Sequence, residues 1–231
     1  MIVERKFVGE CCTPVLVVDD IGPDAAATTS LAQRLVPFPQ ADNNYPGIRR
    51  VLNAEDGLAW IYVIDLLEAA KPYIAGAFDL DGFDLVEASF SLVTTPAQRL
   101  TPVQRVPHFD SVDDNFYALL HYQSQCDGTA FYRHRATGIE LVTPQSVDRY
   151  VALARSEAAK AEPDYIRGST PGFECTASID GLARRLVAYP GRLLHSGIIP
   201  ADFDGSANPA NGRLTTNIFI RGHRSVPVNG K

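Results

Sequence analysis

The sequence predicts a mainly β fold with flanking helices, its strands closed into a sandwich or barrel behind an α-rich N-terminal third. Three observations predict it. After Asp81 short segments alternate in side-chain character with period 2, as strands with one buried face do. Turn signals rich in Gly, Pro, Asn and Asp separate these segments, the pattern of an antiparallel sandwich or barrel. Before Asp81 the dense apolar set Leu58, Ile61, Ile64, Leu66, Leu67 and Ile74 fits one long buried helix.

The chain of 231 residues fits one domain over 1–231, with an α-rich support at 1–80 and a β core at 81–222. Its 45% apolar and 21% charged residues are those of an ordinary soluble protein. A net charge of −6 argues against nucleic acid or an anionic membrane as partner. The longest apolar stretch, Leu58 to Phe78, is interrupted by Asp65, Glu68, Lys71 and Pro72, so no membrane span is expected. MIVERKFVGE lacks the apolar run of a signal peptide, and a cytoplasmic location is the expectation. Cys11, Cys12, Cys126 and Cys175 lack CxxC spacing and read as buried, reduced thiols.

In chain order, Ile2–Val8 and Val15–Asp20 read as strands. Pro23 opens an Ala-rich helix to Leu35 with Asp24 in its first turn. Val36 to Arg50 is a turn-rich loop in which Tyr45, Arg49 and Arg50 are candidate ligand contacts. A helix runs from Asp56 to Ala75, with Pro72 expected to kink or shorten it. Strands follow at Phe83–Thr94, Val103–His108, Phe116–Gln123 and Thr129–Arg135, with Cys126-Asp127-Gly128 as the loop of a hairpin. Pro144 to Lys160 reads as a helix capped by Thr143. Phe173–Ser178, Leu182–Tyr189, Arg192–His195 and Arg213–Arg221 complete the strands.

The chemistry centres on Pro107-His108-Phe109-Asp110. A His and an Asp one residue apart point the same way from a strand. They make two thirds of a 2-His-1-carboxylate site, which holds Fe(II) on one face and leaves the opposite positions open. His195, closing a strand in YPGRLLHSG, is the preferred third ligand. His121 and His134 lie mid-strand, and His223 lies beside Arg221 and Arg224, whose field opposes a cation. Arg213 and Thr215 share one face of the last strand, where a guanidinium fork and a hydroxyl together bind a carboxylate. Taken singly, each residue has a plainer role, such as a satisfied histidine or a surface arginine. Their order and strand-end placement favour a metal site.

This ordered set, His-X-Asp, a later His, then Arg-X-Thr on the following strand, resembles the Fe(II)/2-oxoglutarate-dependent oxygenases, in particular the prolyl-hydroxylase-like branch, over Phe83 to Arg221. The resemblance implies a double-stranded β-helix core of the jelly-roll, cupin-like kind. It implies His108, Asp110 and His195 as catalytic iron ligands, and Arg213 and Thr215 as the grip on the far carboxylate of 2-oxoglutarate. Tyr122 is a further expected cosubstrate contact. Fe(II), 2-oxoglutarate and O2 are the implied cofactors, and hydroxylation with release of succinate and CO2 the implied reaction. Asp110 stands where the family's halogenases lack a carboxylate, which disfavours chlorination. The sequence departs from the family's spacing in SGIIPADFDGSANPANG, between His195 and Arg213, and in the helix at 144–160. Two other readings fit the residues: a jelly-roll metal-binding protein that does not use 2-oxoglutarate, and a ligand-binding module without metal. The substrate is expected to be a small molecule or a peptidyl side chain, with Tyr45–Arg50, Asp202–Asn211, Arg133 and Arg135 as candidate contacts.

Overall fold

The computed structural model describes residues 1–224. In order it contains β1 (Ile2–Val8), β2 (Thr13–Asp19), α1 (Ala25–Gln33), β3 (Gly47–Val51), α2 (Leu58–Phe78), β4 (Gly82–Val93), β5 (Phe116–Tyr122), β6 (Cys126–His134), α3 (Val147–Ala158), β7 (Phe173–Gly181), β8 (Leu186–Pro190), β9 (His195–Gly197) and β10 (Leu214–His223). The strands form two antiparallel sheets. One has seven strands in the order β1-β2-β8-β5-β10-β4-β3, the other three in the order β7-β6-β9.

Alternation along the strands decides what each face meets. On β10, Leu214, Ile218 and Ile220 join Ala88, Phe90 and Leu92 of β4 in a core on the outer face of the large sheet. There α2 presents Tyr62, Leu66, Ala70 and Ile74, one residue per turn on a single stripe. The opposite face turns toward the small sheet. Val15, Val17, Val187 and Tyr189 pack there against Phe131 and Ile179, so the two sheets make a sandwich. A buried polar cluster crosses the first interface: the Tyr62 hydroxyl lies 2.6 Å from His121 Nδ1 and 2.9 Å from Thr216 Oγ1.

Several expectations are corrected. The N-terminal segment is more than a helical support, because β1, β2 and β3 are strands of the large sheet. Arg49 and Arg50, expected in a loop, belong to β3. No strand forms at Val103–His108. Pro102 instead opens a single 3-10 turn over Pro102–Arg105, and His108 makes one isolated bridge to His195. The expected hairpin around Cys126-Asp127-Gly128 is absent. The stretch after β5 carries the chain to the other sheet, and Cys126 to Gly128 already belong to β6. The helix α2 runs through Pro72. The carbonyl this frees, on Glu68, belongs to an exposed residue, so water can satisfy it. Ser146, not Thr143, caps α3, while the Ser146 hydroxyl accepts from the Thr143 amide at 2.9 Å. Cys11 and Cys12 are exposed rather than buried; they lie in the turn after β1, where Gly9 and Cys12 take positive φ. No helix among the described residues is long and apolar enough to cross a membrane.

Phe90 is fully buried between Phe38 and Tyr62, with ring centroids 6.4 and 6.1 Å away. Phe90→Ala is expected to cost about 3–5 kcal/mol, the usual range for emptying such a site. Urea unfolding of the variant checks this, and a cost below about 1 kcal/mol would mean that the helix-on-sheet core does not stabilise the fold as described.

Candidate metal centre

Backbone hydrogen bonds build the site before any side chain contributes. His108 and His195 exchange two of them, each 2.9 Å, which docks the segment after the 3-10 turn onto β9. The Asp110 amide donates to the Gly191 carbonyl at 2.7 Å, fixing the carboxylate's approach. Two tethers hold this segment from behind. Arg105 donates to the carbonyls of Leu100 and Ala161, and Tyr150 on α3 donates to the Pro107 carbonyl at 2.7 Å.

The three side chains converge. His195 Nε2 lies 3.6 Å from one Asp110 oxygen and His108 Nε2 lies 4.0 Å from the other. One ligand atom from each residue lies within 4.8 Å of the other two. Donors about 2.1 Å from a shared ion in a facial arrangement lie about 3 Å apart, so small side-chain movements close the triad on one cation. His195 Nδ1 donates to the Leu193 carbonyl at 2.8 Å. That bond places the proton on Nδ1 and leaves the Nε2 lone pair facing Asp110. Enclosure by protein pushes the Asp110 carboxyl up to about 6, opposed by His108 and Arg49. Enclosure also takes His195 down to about 4, opposed by the Leu193 carbonyl. His108 moves the same way through enclosure and the nearness of His195, an effect blunted because 55% of its side chain meets solvent. Neutral imidazoles beside a carboxyl group are the donor state that a divalent cation recruits.

These side chains line a cavity of about 510 Å³ between the sheets, which also receives Arg213, Thr215, Tyr45 and Arg49. Arg213 is 8% exposed. Its Nη2 donates to the Gly128 carbonyl at 2.8 Å, its Nε is buried without a partner, and no acid pairs with it among the described residues. The Gly128 carbonyl reaches it because Gly128 has φ +80°, and a Cβ there would lie 1.9 Å from the Ile179 carbonyl oxygen. The buried Tyr45 hydroxyl also has no hydrogen bond, and its polar neighbours are Arg213, Arg49 and Thr215. Arg49 differs from Arg213 in being neutralised: its Nη2 lies 2.6 Å from Glu87 and 2.9 Å from Ser89 Oγ.

Tyr122 does not line the cavity. It lies beneath the Arg213 guanidinium, 5.8 Å from ring centroid to Cζ, with its hydroxyl 2.7 Å from Thr129. The other histidines are engaged elsewhere: His121 in the Tyr62 cluster, His134 at 3.0 Å from Glu157, and His223 at 2.8 Å from Asp84. Among the suggested substrate contacts, Tyr45 and Arg49 reach the cavity. Arg50 instead pairs with Asp56, Arg133 with Glu10 and Glu174, and Arg135 with Glu174. The segment 202–211 contributes nothing to its wall. Tyr189 was not foreseen; it lines the cavity with its ring 4.7 Å from that of His195. Its setting, LVAYP, carries only the signal of a buried strand.

Comparison with known proteins extends this picture. The model of a family of unknown function, DUF6445, matches residues 1–220. No curated protein matches the sequence. Among solved structures, AviO1 from Streptomyces viridochromogenes Tue57 is 18% identical over 91% of this chain and 91% of that one, with a TM-score of 0.52. The epimerase SnoN in complex with Fe3+, alpha ketoglutarate and nogalamycin RO is 12% identical over 94% of this chain and 87% of its own, at 0.51. HygX from Streptomyces hygroscopicus with iron bound is 10% identical over 95% and 90%, at 0.52. At these identities the likeness establishes a shared fold.

Asp110→Ala removes the only charged donor of the triad. Titration with Co(II) is expected to show affinity lowered by more than about 100-fold, beyond what outer-shell changes cost, with the circular dichroism of the wild-type fold retained. Unchanged Co(II) binding would place the metal elsewhere.

Proposed function

We propose that this chain, which belongs to DUF6445, a family of unknown function, is an Fe(II)- and 2-oxoglutarate-dependent oxygenase. One observation carries the reading: a buried arginine without an acid, Arg213, opens into the same cavity as a 2-His-1-carboxylate triad. An uncompensated buried guanidinium is costly, and an anion that binds there removes the cost. A dicarboxylate long enough to reach from Arg213 to the triad answers both features. The sheet order supports the same reading. With the His108 segment docked beside β9, the small sheet runs β7-β6-β9 and then that segment, opposite β8-β5-β10-β4 of the large sheet. Two facing sets of four make a double-stranded β-helix. SnoN, which shares the fold, is described with Fe3+ and alpha ketoglutarate.

In this reading His108, Asp110 and His195 hold the iron, with the Nδ1 bond to Leu193 keeping His195 in the required tautomer. Arg213 takes the far carboxylate of 2-oxoglutarate through its free Nε face. Tyr45 turns its hydroxyl toward the same carboxylate, Thr215 lies beside it with its own hydroxyl donating to Asn217 Oδ1 at 2.8 Å, and Tyr122 supports the guanidinium from below. Tyr189 packs on His195 and walls that side of the cavity against bulk water. Bound together, iron, 2-oxoglutarate and O2 supply an oxidant with release of succinate and CO2, and hydroxylation of a small-molecule or peptidyl substrate is the proposed outcome. Work in the cytoplasm on such a substrate, with no nucleic-acid or membrane partner, completes the reading.

Calorimetry of 2-oxoglutarate against Ni(II)-loaded and metal-free protein tests it. Binding is expected only with metal present. Arg213→Lys is expected to weaken it about 10- to 100-fold, since a point charge replaces a two-pronged donor. Binding that ignores both the metal and Arg213 would overturn the assignment.

A further inference from the structure

The large sheet ends on β1, and among the described residues no strand pairs with its outer side. At the opposite edge Gln40 bridges to Ile48 and partly caps β3. β1 is also unusually apolar for a free edge, with Ile2 67%, Val3 42% and Phe7 58% exposed. An uncapped edge with exposed apolar side chains is a template for another strand.

We propose that the occupant is β1 of a second copy, paired antiparallel about a two-fold axis centred on Arg5, so that the large sheet continues across both chains. Symmetry and sequence select this arrangement together. A two-fold axis normal to a sheet sets opposite each other only residues that point to the same face, so partner numbers sum to an even value. Centring on Glu4 opposes Glu4 to itself, and centring on Lys6 opposes Lys6 to itself. Centring on Arg5 places Glu4 opposite Lys6 twice, Val3 opposite Phe7 twice and Ile2 opposite Val8 twice, using the whole strand. Opposite charges and paired apolar groups are favourable cross-strand neighbours. The two Arg5 side chains meet at the axis, but each is already turned aside, with Nη1 3.5 Å from the Gly76 carbonyl and its guanidinium 5.1 Å over the Phe7 ring. A single seven-residue edge is a small interface, so the dimer forms with a dissociation constant on the order of 10 µM.

Sedimentation velocity on the full chain, without an N-terminal tag, tests this. The wild-type chain is expected to be mainly dimeric at about 100 µM. Glu4→Lys and Lys6→Glu are each expected to weaken self-association about tenfold or more, since each makes both charged pairs repulsive. Mixed in equal amounts, the two variants are expected to form a heterodimer. The first variant carries ammonium groups at both positions and the second carries carboxylates at both, so every cross-strand charge pair between them is attractive. Glu4 and Lys6 also pair within one strand at 3.4 Å, and a role confined to that contact would give no rescue on mixing. A wild-type monomer at about 1 mM, single variants that dimerise like the wild type, or a mixture that stays monomeric would each overturn the proposal.

Discussion

The two hydrogen bonds between the backbones of His108 and His195 are the contact on which the site depends. They join the segment after the 3-10 turn to a three-residue strand, and so bring two imidazoles from distant parts of the chain to one place. Because backbone groups hold the ligands, the triad does not depend on attraction between its own side chains. The Asp110 amide bond to Gly191 and the Tyr150 bond to Pro107 extend the same scheme. Supporting contacts of this kind hold the side chains of a site in position.

The charges inside the cavity follow a pattern. Among the described residues Asp110 is the one acid in its wall. Arg49 is balanced by Glu87 and two serine hydroxyls, which lets it sit deep in the sandwich as part of a neutral pair. Among the described residues Arg213 receives no such acid; it has the Gly128 carbonyl, the Cys126 thiol and the Tyr122 ring beside it. The chain carries net negative charge, so leaving a buried cation unpaired here is a feature of this cavity and not of the surface as a whole.

Much of this was legible in the sequence. Period 2 in RLTTNIFI correctly gave β10 and put Arg213 and Thr215 together, and the apolar spacing in α2 gave a long buried helix. The convergence of His108, Asp110 and His195 was readable from His-X-Asp and one later histidine, because few residue types carry such donor atoms. The connections were harder. β5 and β6 are adjacent in sequence with turn residues between them, yet they enter different sheets, a choice that packing makes and local propensity does not encode. The Val103–His108 segment is apolar enough for a strand, but Pro102 favours the start of a turn. Tyr189 was hidden because its apolar strand gives no sign of a site, whereas Tyr45 was legible as a candidate contact in its turn-rich loop and does reach the cavity.

The helix α3 was legible in the sequence as a helix over Pro144 to Lys160, but its part in the cavity was not. Its Tyr150, Val151, Ala154 and Arg155 form part of the cavity wall, while the Tyr150 hydroxyl grips the residue just before His108. A guest molecule large enough to push this helix outward must break that grip or drag the first histidine along with it. A shift of α3 and the posture of the triad thus share one mechanical linkage.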